Sequence, residues 1–203
     1  MDIIIFAVVA GLIFYRYMSI LGTKNEEDDR RTMQTQTVAE VIVFPGKNND
    51  EAILNQKPTL EETLDLISRK DADFSPEDFL EGAIKVFEMT VRCFDEKNMS
   101  KVQRFLSPQV LSQFEKAIQD RADGVSLKLE KIQSADILEA FLTGNVSEIT
   151  VRFLSLQTLT INGKIEGTEE VSDLWSFSKG LNKNEGYWTL INITPAEEET
   201  LQN

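Results

Sequence analysis

The sequence predicts an α+β fold, with N-terminal helices packed on one face of a bent antiparallel sheet, and three observations carry that reading. Two hydroxyl-then-proline pairs, Ser75-Pro76 and Ser107-Pro108, each open a stretch whose apolar residues recur every three or four positions, the period of one helix face. After Gly124 the period drops to two, as it does in strands with one side covered. Asn162-Gly163 then places a two-residue hairpin turn inside the alternating region. Helices first and hairpin-linked strands afterwards fit an antiparallel sheet covered on one face better than a parallel sheet wound on both.

The chain begins MDIIIFAVVAGLIFYRYMSILG. Its apolar run, built from Ile3, Ile4, Ile5, Phe6, Val8, Val9, Leu12, Ile13 and Phe14, follows acidic Asp2 and precedes Arg16, Tyr17 and Met18. A cleavable secretory leader has the reverse arrangement, with positive charge first and small residues last. With Arg16 snorkelling toward the head groups, the segment reaches roughly 19 residues, close to the ~30 Å of a hydrocarbon core. Residues 1–22 therefore read as a single transmembrane anchor. The cations Arg16, Lys24, Arg30 and Arg31 all follow it, which predicts a single-pass topology with the rest of the chain in the cytoplasm or an equivalent compartment.

Residues 23–73 are polar and read as a tether. Two patches inside it have structure-forming patterns: residues 38–44 (VAEVIVF) suit a short strand, and Leu60, Leu64 and Ile67 share one helix face. Each is suited to docking on the domain or on a partner. The domain itself, residues 74–195, starts at the Ser75-Pro76-Glu77-Asp78 cap. Leu80, Ala83, Ile84, Phe87, Val91 and Phe94 form the first predicted helix face, and residues 95–98 break it. Ser100 is placed to cap a short turn carrying Val102, Phe105 and Leu106. The next helix buries Val110, Leu111, Phe114, Ala117 and Ile118, and Gly124 ends it.

The strand region opens with Val125, Leu127 and Leu129. A second stretch follows in which Ala135, Ile137, Glu139 and Phe141 alternate with Leu138, Ala140 and Leu142. Gly144-Asn145 marks a turn, and Ile149, Val151 and Phe153 form an inward row. Val171, Asp173, Trp175 and Phe177 make another strand, residues 179–186 a polar turn, and Tyr187, Thr189, Ile191 and Ile193 the last strand. Residues 196–203 read as an acidic, solvated tail.

Chemistry is bounded mostly by what is missing. The chain has no histidine, so His-based triads, His general bases and HExxH zinc sites are excluded. Cys93, the single cysteine, cannot form an internal disulfide and sits within a helix as a small hydrophobe. No glycine pattern meets a phosphate-loop or dinucleotide fingerprint, and no calcium-loop spacing appears, so neither a cofactor nor a metal is expected. The net charge of −13 repels phosphate backbones, which disfavours nucleic acid and ribosome docking. Asp173 shares its strand parity with Trp175 and is the one acid suited to proton abstraction if burial raises its pKa; acceptance of hydrogen bonds at a sheet edge is the simpler role. We therefore expect no catalytic set. Phe87, Val91, Phe94, Leu111, Phe114, Trp175, Phe177 and Trp188 are first of all core, and the same residues would line any apolar hollow for a lipid tail or a partner side chain.

Asp2-Ile3-Ile4-Ile5-Phe6-Ala7 with Tyr15-Arg16 and Leu21-Gly22, then Phe79-Leu80-Glu81-Gly82-Ala83, Leu106-Ser107-Pro108-Gln109-Val110, Phe114 and Arg121, and finally Val171-Ser172-Asp173-Leu174-Trp175-Ser176-Phe177, resemble bacterial members of the Tim44-like family. The resemblance implies a cone-shaped domain of the nuclear-transport-factor-two and cystatin-like kind. Its mitochondrial members tether the import-motor chaperone at the inner-membrane translocase and associate with lipid. Carried to this chain, it implies a non-enzymatic adaptor anchored in the cell inner membrane, single-pass with its C-terminal domain in the cytoplasm, that holds a protein partner, with a link to protein translocation or membrane-protein assembly. A lipid carrier or sensor is the alternative, and a small hydrolase or isomerase using Asp173 a third. The long chaperone-binding region of mitochondrial members has no counterpart in residues 22–73, which sets chaperone recruitment apart from the rest.

Overall fold

A computed structural model describes residues 58–181 and 186–196. The segment read as the anchor, the tether up to residue 57 and residues 197–203 lie outside the described residues. Among the described residues no helix is long and apolar enough to cross a membrane.

The first helix, α1 (Leu60–Lys70), opens on a reciprocal cap: the Thr59 hydroxyl accepts from the Glu62 amide at 3.3 Å, and the Thr59 amide donates to the Glu62 carboxylate at 2.8 Å. Glu61 and Glu62 in its first turn and Arg69 and Lys70 in its last complement the helix dipole. Ile67 is fully buried, and Leu60 and Leu64 pack beside it on the core. The face that sequence left free to dock on the domain or on a partner thus docks on the domain. Residues 60–73, polar enough in composition to pass for tether, fold with it because three spaced apolar side chains suffice to bury one helix stripe. Two polar contacts fix the far end of the helix: Lys179 Nζ lies 2.6 Å from the Asp71 carboxylate, both largely buried, and Lys70 Nζ donates to the Gly144 carbonyl at 2.6 Å.

The second helix, α2 (Pro76–Asp95), starts where predicted, with the Ser75 hydroxyl accepting from the Asp78 amide at 3.0 Å and proline in the first turn. Its buried residues are Phe79, Ala83, Val86, Phe87, Thr90, Cys93 and Phe94. Leu80, Ile84 and Val91, predicted inward, are half-buried beside that stripe, so the true face is rotated by about one position. Thr90 explains part of the difference: its hydroxyl donates to the Val86 carbonyl at 2.7 Å, which lets a polar residue sit fully buried where hydropathy does not point. Two short 3₁₀ turns follow (Met99–Lys101 and Gln103–Phe105). The side chain of Asn98, not Ser100 as expected, caps the first of them by accepting from the Ser100 amide at 3.1 Å. The third helix, α3 (Pro108–Asp120), is capped by Ser107 and buries Val110 and Phe114; Leu111, Ala117 and Ile118 are half-buried.

Four antiparallel strands follow in sequence order: β1 (Val125–Thr143), β2 (Val146–Ile161), β3 (Lys164–Gly180) and β4 (Thr189–Pro195). The two alternating stretches predicted across residues 125–142 are one long strand. Three register shifts break its parity, between Leu129 and Lys131, Ile132 and Ser134, and Ile137 and Glu139. Each shift turns the strand by a residue, so Leu129, Ile132, Ile137 and Ala140 all face the β2 residues of the buried side, which no single alternation accommodates. The inward row Ile149, Val151 and Phe153 is fully buried as predicted. Across β3 it meets Phe177, Trp175 and Asp173 in register. The outer edge of β4 is partly closed by a bridge from Leu106 to Leu190 and by the Ser107 amide donating to the Leu190 carbonyl at 2.9 Å.

Turn chemistry sets the strand lengths. Asn162 and Gly163 both have positive φ, 50° and 78°, the conformation a tight two-residue hairpin requires. Gly124 (φ 78°) ends the helical half, and its carbonyl accepts from the Asn162 amide at 2.8 Å. A Cβ at residue 124 would lie 2.1 Å from the Asn162 side-chain oxygen. Gly124→Ala is therefore expected to cost at least about 1–2 kcal/mol, from the left-handed backbone alone, with displacement of Asn162 adding to it. Urea unfolding checks this, and an unchanged midpoint would refute the strain argument.

Candidate functional site

The residues singled out in the sequence come together in two aromatic groups. In the first, Phe87 stacks on Phe153 with centroids 4.4 Å apart, and Trp175 lies 4.8 Å from Phe87 and 5.7 Å from Phe153. Phe177 joins through Phe79 at 5.7 Å, and Phe79 reaches Trp188 at 4.7 Å. In the second, Phe94 meets Phe114 edge-on at 5.9 Å. Val91, Leu111 and Trp188 are half-buried at the margins. Three partners in this ring network, Phe74, Phe79 and Phe153, were absent from the sequence-based set. Phe153 was legible as an inward residue, but its stacking partner was not, since that contact joins α2 to β2.

Asp173 faces inward, as its parity predicted, opposite Phe153 on β2 and Pro195 on β4. Burial among these apolar neighbours pushes its carboxyl up to about 6. Its register neighbours offer no acid, base or cation to form a catalytic pair. Cys93 is buried and free, and its thiol is pushed upward, first by burial and then by Glu96. Among the described residues no cluster of acids and cysteine is placed to hold a metal.

A polar unit that sequence reasoning missed joins the end of α2 to the start of β1. Arg121, just after α3, is almost fully buried; its Nη2 donates to the Asp95 carbonyl at 3.0 Å, and its Nη1 lies 3.9 Å from the Asp95 carboxylate. The guanidinium also covers the Phe94 ring at 4.7 Å. Burial lowers the Arg121 pKa, and Asp95 opposes that shift. The Asp95 carboxylate in turn accepts from the Leu127 backbone amide at 2.9 Å. The available signal was the acid at a helix end, which marks a point where a carboxylate finds an amide of the next element.

Beside this unit a groove of about 300 Å³ runs between α2 and β1. Glu88, Arg92 and Asp95 line it from the helix, and residues 127–132 from the strand. Six successive strand residues contribute, where one face of a strand would offer only alternate ones, so the wall of the groove is the strand edge.

A family model of the Tim44-like domain matches residues 60–195. The chain belongs to the Tim44-like family. The match opens at the first residue of α1 and closes at the last of β4, so it spans every helix and strand of the described residues. Across nearly the whole chain, 95% of it and 96% of the relative, the sequence is also 23% identical to uncharacterized protein RP434 of Rickettsia prowazekii (strain Madrid E). Among solved structures the Tim44-like chain is similar to the intermembrane space region of the chloroplast protein ARC6 (TM-score 0.43, 8% identity, 57% of this chain and 95% of that one). It is also similar to the association domain of C. elegans CaMKII (0.39, 12%, 60% and 97%) and to CagV, a VirB8 homolog from Helicobacter pylori strain 26695 (0.37, 11%, 56% and 96%). The Tim44-like family is membrane-associated and protein-binding in general terms.

Proposed function

We propose that this Tim44-like chain is a non-enzymatic adaptor. In this reading its N-terminal segment fixes it in the inner membrane, and its domain holds a protein partner at the cytoplasmic face, in protein translocation or membrane-protein assembly. The observation that carries the reading is the family match over residues 60–195. Two features support it. The aromatic residues named for a lipid-binding hollow make ring contacts with one another, which favours the adaptor over the carrier. Asp173 stands without a second titratable group in its register, which favours a binding role over acid–base chemistry. Anchoring would turn weak contacts into useful ones by raising the local concentration of the partner.

Affinity capture of the full chain from gently solubilised membranes tests this. At least one protein is expected to co-purify in stoichiometric amount, above a control carrying residues 1–59 alone. Recovery of no protein above that control counts against the adaptor, and a bound acyl lipid in its place would favour the carrier.

A further inference from the structure

The edge of β1 that faces away from β2 has an unused backbone position. In the antiparallel β1–β2 ladder, Val125, Leu127 and Leu129 turn their amides away from β2, toward the outside of the sheet. The first two find local acceptors: Val125 donates to the Ala122 carbonyl at 3.4 Å, and Leu127 donates to the Asp95 carboxylate at 2.9 Å. Asp95, held by buried Arg121, thus stands where the carbonyl of a neighbouring strand would stand. The series then stops. Leu129 makes no such bond among the described residues, and it lies in the wall of the α2–β1 groove together with Arg92 and Lys131. Neither cation pairs with an acid among the described residues, although Lys128 in the same wall is paired with Glu130 at 3.0 Å. The groove therefore presents an unused backbone position flanked by two cations, Arg92 and Lys131, and one acid, Glu88, that make no ion pair among the described residues.

We propose that residues 38–44 of the same chain, VAEVIVF, occupy this groove as a fifth strand beside β1. Four of the seven are β-branched, as strands prefer, and Glu40 is the single charge in the segment, opposite in sign to Arg92 and Lys131. The tether joins the domain at the start of α1, where Leu60 packs on the core, and residues 45–59 extend to at most ~50 Å, longer than the roughly 40 Å between Ile132 and the Gly144 end of β1. A tether of that length holds the segment near the edge at an effective concentration of roughly millimolar, so an in-cis strand outcompetes dilute extended peptides. Of the two patterned patches in the tether, the helical one already packs on the domain.

Amide hydrogen exchange on the full chain tests the proposal, comparing wild type with Val41→Pro, which removes a ladder donor from the segment without touching the described domain. The Leu129 amide is expected to be protected in wild type and to exchange at least about tenfold faster in Val41→Pro, with the Val151 amide unchanged in both. Equal exchange at Leu129 in the two proteins overturns the proposal. So does protection that grows with protein concentration, which would assign the strand to a second copy, and so does protection that appears only when a captured partner is present. Equal exchange leaves the adaptor reading untouched and partner-dependent protection supports it, so the proposal and the adaptor reading fail separately.

Discussion

Phe87→Ala is expected to destabilise the domain by about 3–5 kcal/mol, the usual range for deleting a fully buried aromatic ring. Phe87 has no exposed surface, stacks on Phe153 at 4.4 Å and touches Trp175 at 4.8 Å. Removing it leaves a void against the centre of the sheet, where Val151 and Phe153 are themselves fully buried and in register with Trp175 and Asp173. A domain of this size has roughly 5–15 kcal/mol in total, and the loss corresponds to a fall in melting temperature of roughly 10 °C or more. The measurement also separates two meanings of the aromatic set. If Phe87 bordered an open hollow, its truncation would cost little stability and would change ligand capture instead; a loss under about 1 kcal/mol would therefore contradict the packed interior described here.

Asp173→Asn is expected to do the opposite and stabilise the protein at pH 7 by about 1–2 kcal/mol. Burial raises the native carboxyl from 3.8 to about 6, so between those values the folded state binds more protons than the unfolded one. Stability from this group is then fully present below pH 4 and is lost as pH rises through about 6. The full shift corresponds to at most ~3 kcal/mol, and solvent reaching the half-buried carboxyl reduces it to the smaller figure. Unfolding free energies of wild type and variant, measured from pH 4 to pH 8, should converge at the acid end and diverge toward neutrality. Parallel curves would mean that Asp173 titrates normally.

Much of the fold was readable because its signals are local. Ser75-Pro76, Ser107-Pro108 and Asn162-Gly163 each act within a few residues, and each lies where the structure puts a helix start or a hairpin turn. The inward row of β2 was readable for the same reason, since pairing without a register shift from Ile149 to Phe153 keeps the alternation clean. What escaped depended on distant partners. The parity of β1 is broken by three bulges defined only against β2. The docking of α1 rests largely on Ile67 meeting a core assembled from residues later in the chain. The site was less legible than the fold: the aromatic residues were named correctly as core, but the α2–β1 groove arises only when a helix face meets a strand edge. Glu88, Arg92, Lys128 and Lys131 carry no motif in one dimension.

The ion pair between Asp71 and Lys179 gives the domain a mechanical property. The last turn of α1 is clamped to β3 by that pair and to the β1–β2 turn by Lys70. Load carried by α1 is thereby shared between two points on the sheet, at the end of β1 opposite the groove. A pull on that helix would have to break the clamp before it could strip α1 from the sheet.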